Sequence, residues 1–162
     1  MQKNLKKIQD TKKFAEEFLQ MVLDGDRGRN VVLLQGNLGA GKTTFSQFFL
    51  EKIGAEGPFT SPTFVIMKKY ELESKQLLEA KKKRYHIIIY DNIKNVYHLD
   101  CYRVDEAGVL DLGWKEMIES KTNILLVEWP EKIKNIWPEK YWLLKFEYGN
   151  NENKRTVEIK MK

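Results

Sequence analysis

Gly36-Asn37-Leu38-Gly39-Ala40-Gly41-Lys42-Thr43 matches G-x-x-x-x-G-K-[ST] at every fixed position. Each residue type has a physical reason. Glycines let the backbone curl so that successive N–H groups point inward at phosphate oxygens. A helix that starts at the loop aims its positive end at the same point. A lysine there reaches the β- and γ-phosphates, and the following hydroxyl ligates Mg²⁺. The flanks agree. Val31–Gln35 is a short, β-branched apolar run and reads as a buried strand, while Phe45, Phe48, Phe49 and Ile53 recur at helical spacing before Gly54 and Gly57 stop the helix. Strand, glycine loop and helix together open an α/β nucleotide-binding unit. The glycine order is not G-x-G-x-x-G, which argues against a dinucleotide site.

Upstream, Phe14, Phe18, Met21 and Val22 mark a helix capped by Asp10 or Thr11 and ended by Gly25 and Gly28. Downstream, Thr63–Tyr70, Tyr85–Tyr90, Val96–Asp100 and Asn123–Glu128 read as strands, with Asp91–Asn95 as a turn. Glu71–Arg84 favours helix and ends in a basic run, and Val109–Ser120 carries a mixed helical pattern. Trp142, Leu144, Phe146 and Tyr148 alternate, as do Val157, Ile159 and Met161, which predicts a closing antiparallel hairpin. The expected fold is α/β: a P-loop-type mixed sheet with helices on both faces and antiparallel strands at its C-terminal edge. No linker or repeat interrupts it, so residues 1–162 are read as one domain.

Composition narrows the class. The 162 residues are 42% hydrophobic and 31% charged, too apolar for a disordered chain. One cysteine excludes an internal disulfide and a cysteine zinc site, and two histidines leave no histidine ligand cluster. No apolar run approaches the ~20 residues of a membrane helix, and the N-terminus has no signal-peptide core. A cytoplasmic protein is expected. The net charge of +5 invites a nucleic-acid reading, but 23 of the 28 basic residues are lysines spread along the chain. That pattern is a solvated surface more than a bidentate phosphate reader.

A P-loop needs a second acidic group near the cation, at the end of a neighbouring strand. Glu128 ends Asn-Ile-Leu-Leu-Val and Asp100 ends Val-Tyr-His-Leu, so both are candidates. Asp105-Glu-Ala-Gly108 has the D-x-x-G form of a GTPase switch, yet follows no apolar strand and is read as a helix-entry turn. Ser61-Pro62-Thr63 lies where P-loop proteins place a γ-phosphate-sensing loop, and is equally an ordinary proline turn.

Ser61-Pro-Thr-Phe64, Tyr97-His-Leu-Asp-Cys-Tyr-Arg103, Asp111-Leu-Gly113 and Leu126-Val-Glu-Trp-Pro-Glu131 follow the P-loop in that order. Together they resemble the TsaE (YjeE) family of small bacterial ATPases, over nearly the whole chain. The resemblance implies an ATPase that supports synthesis of threonylcarbamoyladenosine, beside the anticodon of tRNAs reading codons that start with A. It implies TsaB and TsaD as partners, ATP and Mg²⁺ as cofactors, and contact with tRNA only indirectly or within that assembly. By the same resemblance, the loop residues from Gly36 to Thr43, with Thr44 beyond them, hold the nucleotide; Thr43 and Glu128 serve Mg²⁺, and Asp100 is the acid needed for hydrolysis. Lys42, Asp100 and Glu128 form the catalytic set. Trp129 lies beside the nucleotide, Arg155 reaches ATP from the last hairpin, and Thr11 is placed near the base. Ser61, Thr63, Tyr102 and Arg103 are expected at a switch or partner surface. The chain departs from the family in an apparent insertion over Glu73–Asn95. Cys101 is expected to be a packed residue without a role.

Two other readings share these motifs. A small-molecule P-loop kinase would clamp the phosphoryl group with several arginines, and this chain has five, of which Arg103 and Arg155 are well placed. A nucleotide-gated assembly factor would need every residue named above but not their turnover.

Overall fold

The alternation of apolar residues along β2 (Val31–Gly36) builds two cores at once. Val32 and Leu34 face one side, Val31 and Leu33 the other, and all four are fully buried. A strand buried on both faces needs layers above and below it, and the chain supplies them. This computed structural model describes residues 1–25, 30–72, 93–149 and 154–162.

The elements run β1 (Gln2–Leu5), α1 (Ile8–Asp24), β2, α2 (Lys42–Lys52), β3 (Met67–Glu71), β4 (Asn95–Asp100), α3 (Glu106–Asp111), α4 (Trp114–Glu119), β5 (Asn123–Glu128), β6 (Trp142–Tyr148) and β7 (Arg155–Met161). Short 3-10 segments cover Cys101–Arg103 and Pro130–Ile136. Among the described residues one seven-stranded sheet has the order β1-β7-β6-β2-β5-β4-β3. Its centre, β6-β2-β5-β4, is parallel, and β1, β7 and β3 pair antiparallel. This is the expected mixed α/β architecture.

One face is covered by α1 and α2, whose packing is aromatic. Phe45 lies 5.3 Å from Phe14, 5.8 Å from Phe18, 6.1 Å from Phe49 and 5.6 Å from Phe146, centroid to centroid. Tilted rings at this spacing add to the burial energy. The pairs Lys52–Glu16 (2.8 Å) and Lys12–Glu51 (2.7 Å) tie the two helices. The other face carries Val109, Trp114, Met117 and Ile133. No described helix is long and apolar enough to cross a membrane.

Several boundaries differ from expectation. Asp10 is not the cap of α1 but its third residue, accepting from the backbone N–H of Lys6 (2.7 Å) and Lys7 (2.9 Å). Nor does Thr11 cap it: Thr11 sits on the buried face with Phe14 and Phe18. The Thr63–Tyr70 strand begins only at Met67, because Val65 and Ile66 donate back to the Pro62 carbonyl and turn the chain. The 109–120 pattern is two helices, broken where Gly113 takes φ +83°. β1 gave no sequence signal and covers the edge of β7, so the hairpin is not the sheet's edge. Glu71 closes β3, and the expected Tyr85–Tyr90 strand, residues 73–84, Gly28 and most of the insertion lie outside the described residues. The two ends of the insertion meet, since the Leu72 N–H donates to the Lys94 carbonyl at 2.8 Å.

Candidate functional site

Three parallel strands, β2, β5 and β4, end on the same side of the sheet, and each delivers one part of the site. β2 runs into the glycine loop. Gly36 takes φ +145°, and a Cβ there would lie 2.3 Å from the Phe146 carbonyl oxygen on β6. No side chain fits that approach. Gly39 and Gly41 also have positive φ, and Gly41 caps α2, so the helix axis begins at the loop. Ala40 is buried beneath it and donates from its backbone to Asn37.

Lys42, the first residue of α2, folds over the loop. Its Nζ donates to the carbonyls of Gly36 (2.6 Å) and Asn37 (3.0 Å) and lies 3.9 Å from the centroid of the Trp129 ring. Burial pushes its pKa below the ordinary lysine value, and the carboxylates of Glu128, Glu131 and Asp100 oppose that shift. Trp129 follows β5 with φ +57°, and its ring packs on Tyr102 at 5.0 Å.

Glu128 and Asp100 are both buried at the ends of β5 and β4. Glu128 Oε2 accepts from the Thr43 hydroxyl at 2.8 Å, and its Oε1 faces His98 Nε2 at 2.7 Å. Asp100 accepts from the Thr63 hydroxyl at 2.5 Å and from the Tyr102 N–H at 2.9 Å. Thr63 in turn pairs with the Ser61 hydroxyl at 2.7 Å. The 61–63 loop is therefore joined to one carboxylate, and the P-loop to the other.

A cleft of about 370 Å³ opens over these groups. Leu38, Gly39, Gly41, Lys42, Thr43 and Thr44 line one wall; Ser61, Thr63, Asp100, Tyr102, Arg103, Glu128 and Trp129 line the rest. Most of the expected residues thus meet in one place. Thr11 does not line the cleft, because its position on α1 is turned into the helix pair. Nor does Arg155, which opens β7 with its guanidinium 4.6 Å from the Tyr148 ring. It approaches the loop indirectly, since the Tyr148 hydroxyl donates to the Leu38 carbonyl. Gly36, Asn37 and Ala40 do not line the cleft either: Ala40 is buried, Gly36 half-buried against β6, and Asn37 is exposed. Asp105 caps α3 by accepting from the Gly108 N–H at 3.0 Å, the helix-entry turn expected. Cys101 is fully buried, and that burial, with the Asp100 and Glu131 charges, raises its pKa from 9.0 to about 12.

No motif gives Tyr148 or His98 a role. In the sequence Tyr148 is one more alternating hairpin residue. His98 carried a usable signal: two positions before Asp100 in a strand, it must share that carboxylate's face of the sheet.

A family model for the threonylcarbamoyl adenosine biosynthesis protein TsaE matches residues 5–157. The chain belongs to the TsaE family. It is 30% identical over 149 residues to the tRNA threonylcarbamoyladenosine biosynthesis protein TsaE of Haemophilus influenzae, covering 91% of this chain and 78% of that one. It is 32% identical over 131 residues to the protein of the same name from Bacillus subtilis, covering 81% and 67%. Among solved structures, the crystal structure of Bacillus subtilis YdiB matches with a TM-score of 0.66 and 24% identity, over 97% of this chain and 82% of that one, which supports the shared fold. Membership of the TsaE family places the chain in tRNA threonylcarbamoyladenosine biosynthesis.

Proposed function

We propose that this TsaE-family chain is a Mg²⁺-dependent ATPase of the cytoplasm whose cycle serves a TsaB–TsaD complex, with tRNA met only through that assembly. The observation that carries the reading is the bond from Thr43 to Glu128 beneath the P-loop, with Asp100 beside it. A hydroxyl that donates its proton to a carboxylate keeps its lone pairs for a cation. Thr43 and Glu128 are hard oxygen donors of the kind Mg²⁺ takes together with substrate phosphates and waters. Among the described residues no group of three or more His, Cys, Asp or Glu could hold a metal alone, so phosphate oxygens would complete the shell.

When bound, Mg²⁺ would neutralise charge on the β- and γ-phosphates. The loop N–H groups and Lys42 would hold those phosphates, Lys42 exchanging its bonds to the Gly36 and Asn37 carbonyls for bonds to phosphate oxygen. Asp100, at the rim of the same cleft, would orient the attacking water. The bond from water oxygen to γ-phosphorus forms as the bridge to ADP breaks, and the proton passes to solvent or phosphate. Among the described residues Arg103 is the one arginine lining the cleft, which favours a slow enzyme over a kinase that clamps phosphoryl groups with several arginines.

A partner requirement is supported by the cleft mouth. Leu38 and Tyr102 line it, Phe64 packs on Arg103 beside it and Val65 follows Phe64, and all four are large apolar side chains at least half exposed, suited to an interface. Steady-state ATPase measured with and without TsaB–TsaD tests the reading. Slow turnover, accelerated by the complex, is expected. Turnover of the isolated chain near ~10 s⁻¹, unchanged by the complex, would overturn it.

A further inference from the structure

We infer that His98 is a positioning residue of the metal–nucleotide site, acting through Glu128; the inference rests on the Mg²⁺-dependent reading above. His98 lies on β4 and Glu128 on β5, two residues along from its register partner Leu126 and so on the same face of the sheet. Both side chains are almost wholly buried, at 1% and 2% exposure, and His98 Nε2 stands 2.7 Å from Glu128 Oε1.

A carboxylate can only accept, so Nε2 carries the hydrogen and donates it. Glu128 is then held at both oxygens: Oε1 by His98 from inside the sheet and Oε2 by Thr43 at the loop. The Thr43 hydroxyl is the group expected to turn toward a cation, and the histidine N–H is the anchor that does not depend on it. Fixing a ligating carboxylate through an outer partner is a recurrent device in metal sites.

The other ring nitrogen argues against a merely structural histidine. Nδ1 is buried with no hydrogen-bond partner among the described residues, an arrangement that disfavours the folded state. An apolar side chain would avoid it. What the ring supplies in return is one directed N–H toward Glu128. Asp100, two residues along the strand, has its own donors in Thr63 and Tyr102.

The test is calorimetric binding of ADP, with MgCl₂ and with EDTA, alongside thermal melting of each protein without nucleotide. In His98→Leu, the affinity gained from Mg²⁺ should shrink on the order of 10-fold, while affinity in EDTA stays at the wild-type value. His98→Gln, whose amide nitrogen reaches the Nε2 position, should restore most of the gain. Should the leucine variant fail to fold, His98→Asn takes its place, since its shorter amide draws the donor away from Glu128. An unchanged Mg²⁺ gain in a folded variant lacking the donor, or equal losses with and without Mg²⁺, would overturn the assignment. Wild-type protein that binds ADP equally in MgCl₂ and EDTA would instead overturn the metal–nucleotide reading and this inference with it.

Discussion

Asp100 and Glu128 are register partners on adjacent parallel strands, and each accepts from a different threonine: Thr63 for Asp100 and Thr43 for Glu128. Two carboxylates side by side are thereby assigned to separate loops. Glu128 belongs to the P-loop and Asp100 to the 61–63 loop. Removing them should have separable effects. Glu128→Ala should weaken Mg²⁺-dependent nucleotide binding. Asp100→Ala should keep binding and lose hydrolysis on the order of 10²-fold, and Thr63→Val should share the direction of that loss. Calorimetry and single-turnover hydrolysis together check this; equal binding losses in the Glu128 and Asp100 variants would contradict it.

Lys42→Ala should cost most of the nucleotide affinity. Losing a charge-assisted phosphate contact typically costs about 1.5–3 kcal/mol, or roughly 10- to 150-fold in Kd. Lys42 also stacks over Trp129, so the variant should change tryptophan emission before any nucleotide is added. Wild-type affinity in this variant would remove the P-loop from the site.

Phe64→Ser should separate partner response from basal chemistry. Phe64 is 82% exposed, beneath the Arg103 guanidinium at 4.9 Å. Its loss should move stability by no more than about 0.5 kcal/mol. Affinity for TsaB–TsaD should fall by about 2 kcal/mol, roughly 30-fold, if Phe64 anchors the contact. Basal ATPase should not change. Unaltered binding to the complex would place the docking surface elsewhere.

Phe45→Ala should destabilise the fold by about 3–5 kcal/mol, measured by urea unfolding. Four aromatic rings surround Phe45, and all of them belong to elements that would have to shift to close the cavity.

Alkaline stability should depend on Cys101. Its thiol ionises near 9.0 when free and near 12 when buried here. Between those values the unfolded chain holds fewer protons than the native one, so stability falls as pH rises through that window. The full effect is on the order of 4 kcal/mol. Tyr70, also raised by burial, acts in the same direction. Cys101→Ala should flatten the decline without abolishing it, read as the slope of unfolding free energy against pH.

The parallel centre of the sheet was legible because burial on both faces leaves continuous apolar runs, as in Val31–Leu34 and Ile124–Val127. The P-loop was legible because its chemistry tolerates few residue types. What escaped was set by contacts distant in sequence. β1 is four residues long and is a strand only because β7 offers it an edge. Thr63–Ile66 has strand-forming residues, yet its hydroxyl bonds to Asp100 and the chain turns. The family resemblance puts Thr11 and Arg155 at the site, whereas packing buries one on the inner face of α1 and sets the other against Tyr148. Two histidines are too few for a metal cluster, yet the strand position of His98 already puts it on the face of a carboxylate.

The pairing of β2 also governs when this protein can begin to work. Val31 pairs with Leu125 and Val32 with Trp142, so the strand that feeds the P-loop is seated between partners made much later in synthesis. Domains assemble as chain becomes available from the ribosome. A nascent chain that has already exposed Gly36–Thr43 therefore holds the phosphate-binding sequence without the frame that shapes it. On the proposed function, competence to bind nucleotide should arrive only with the final third of the polypeptide, and a chain cut short before Trp142 should emerge without it.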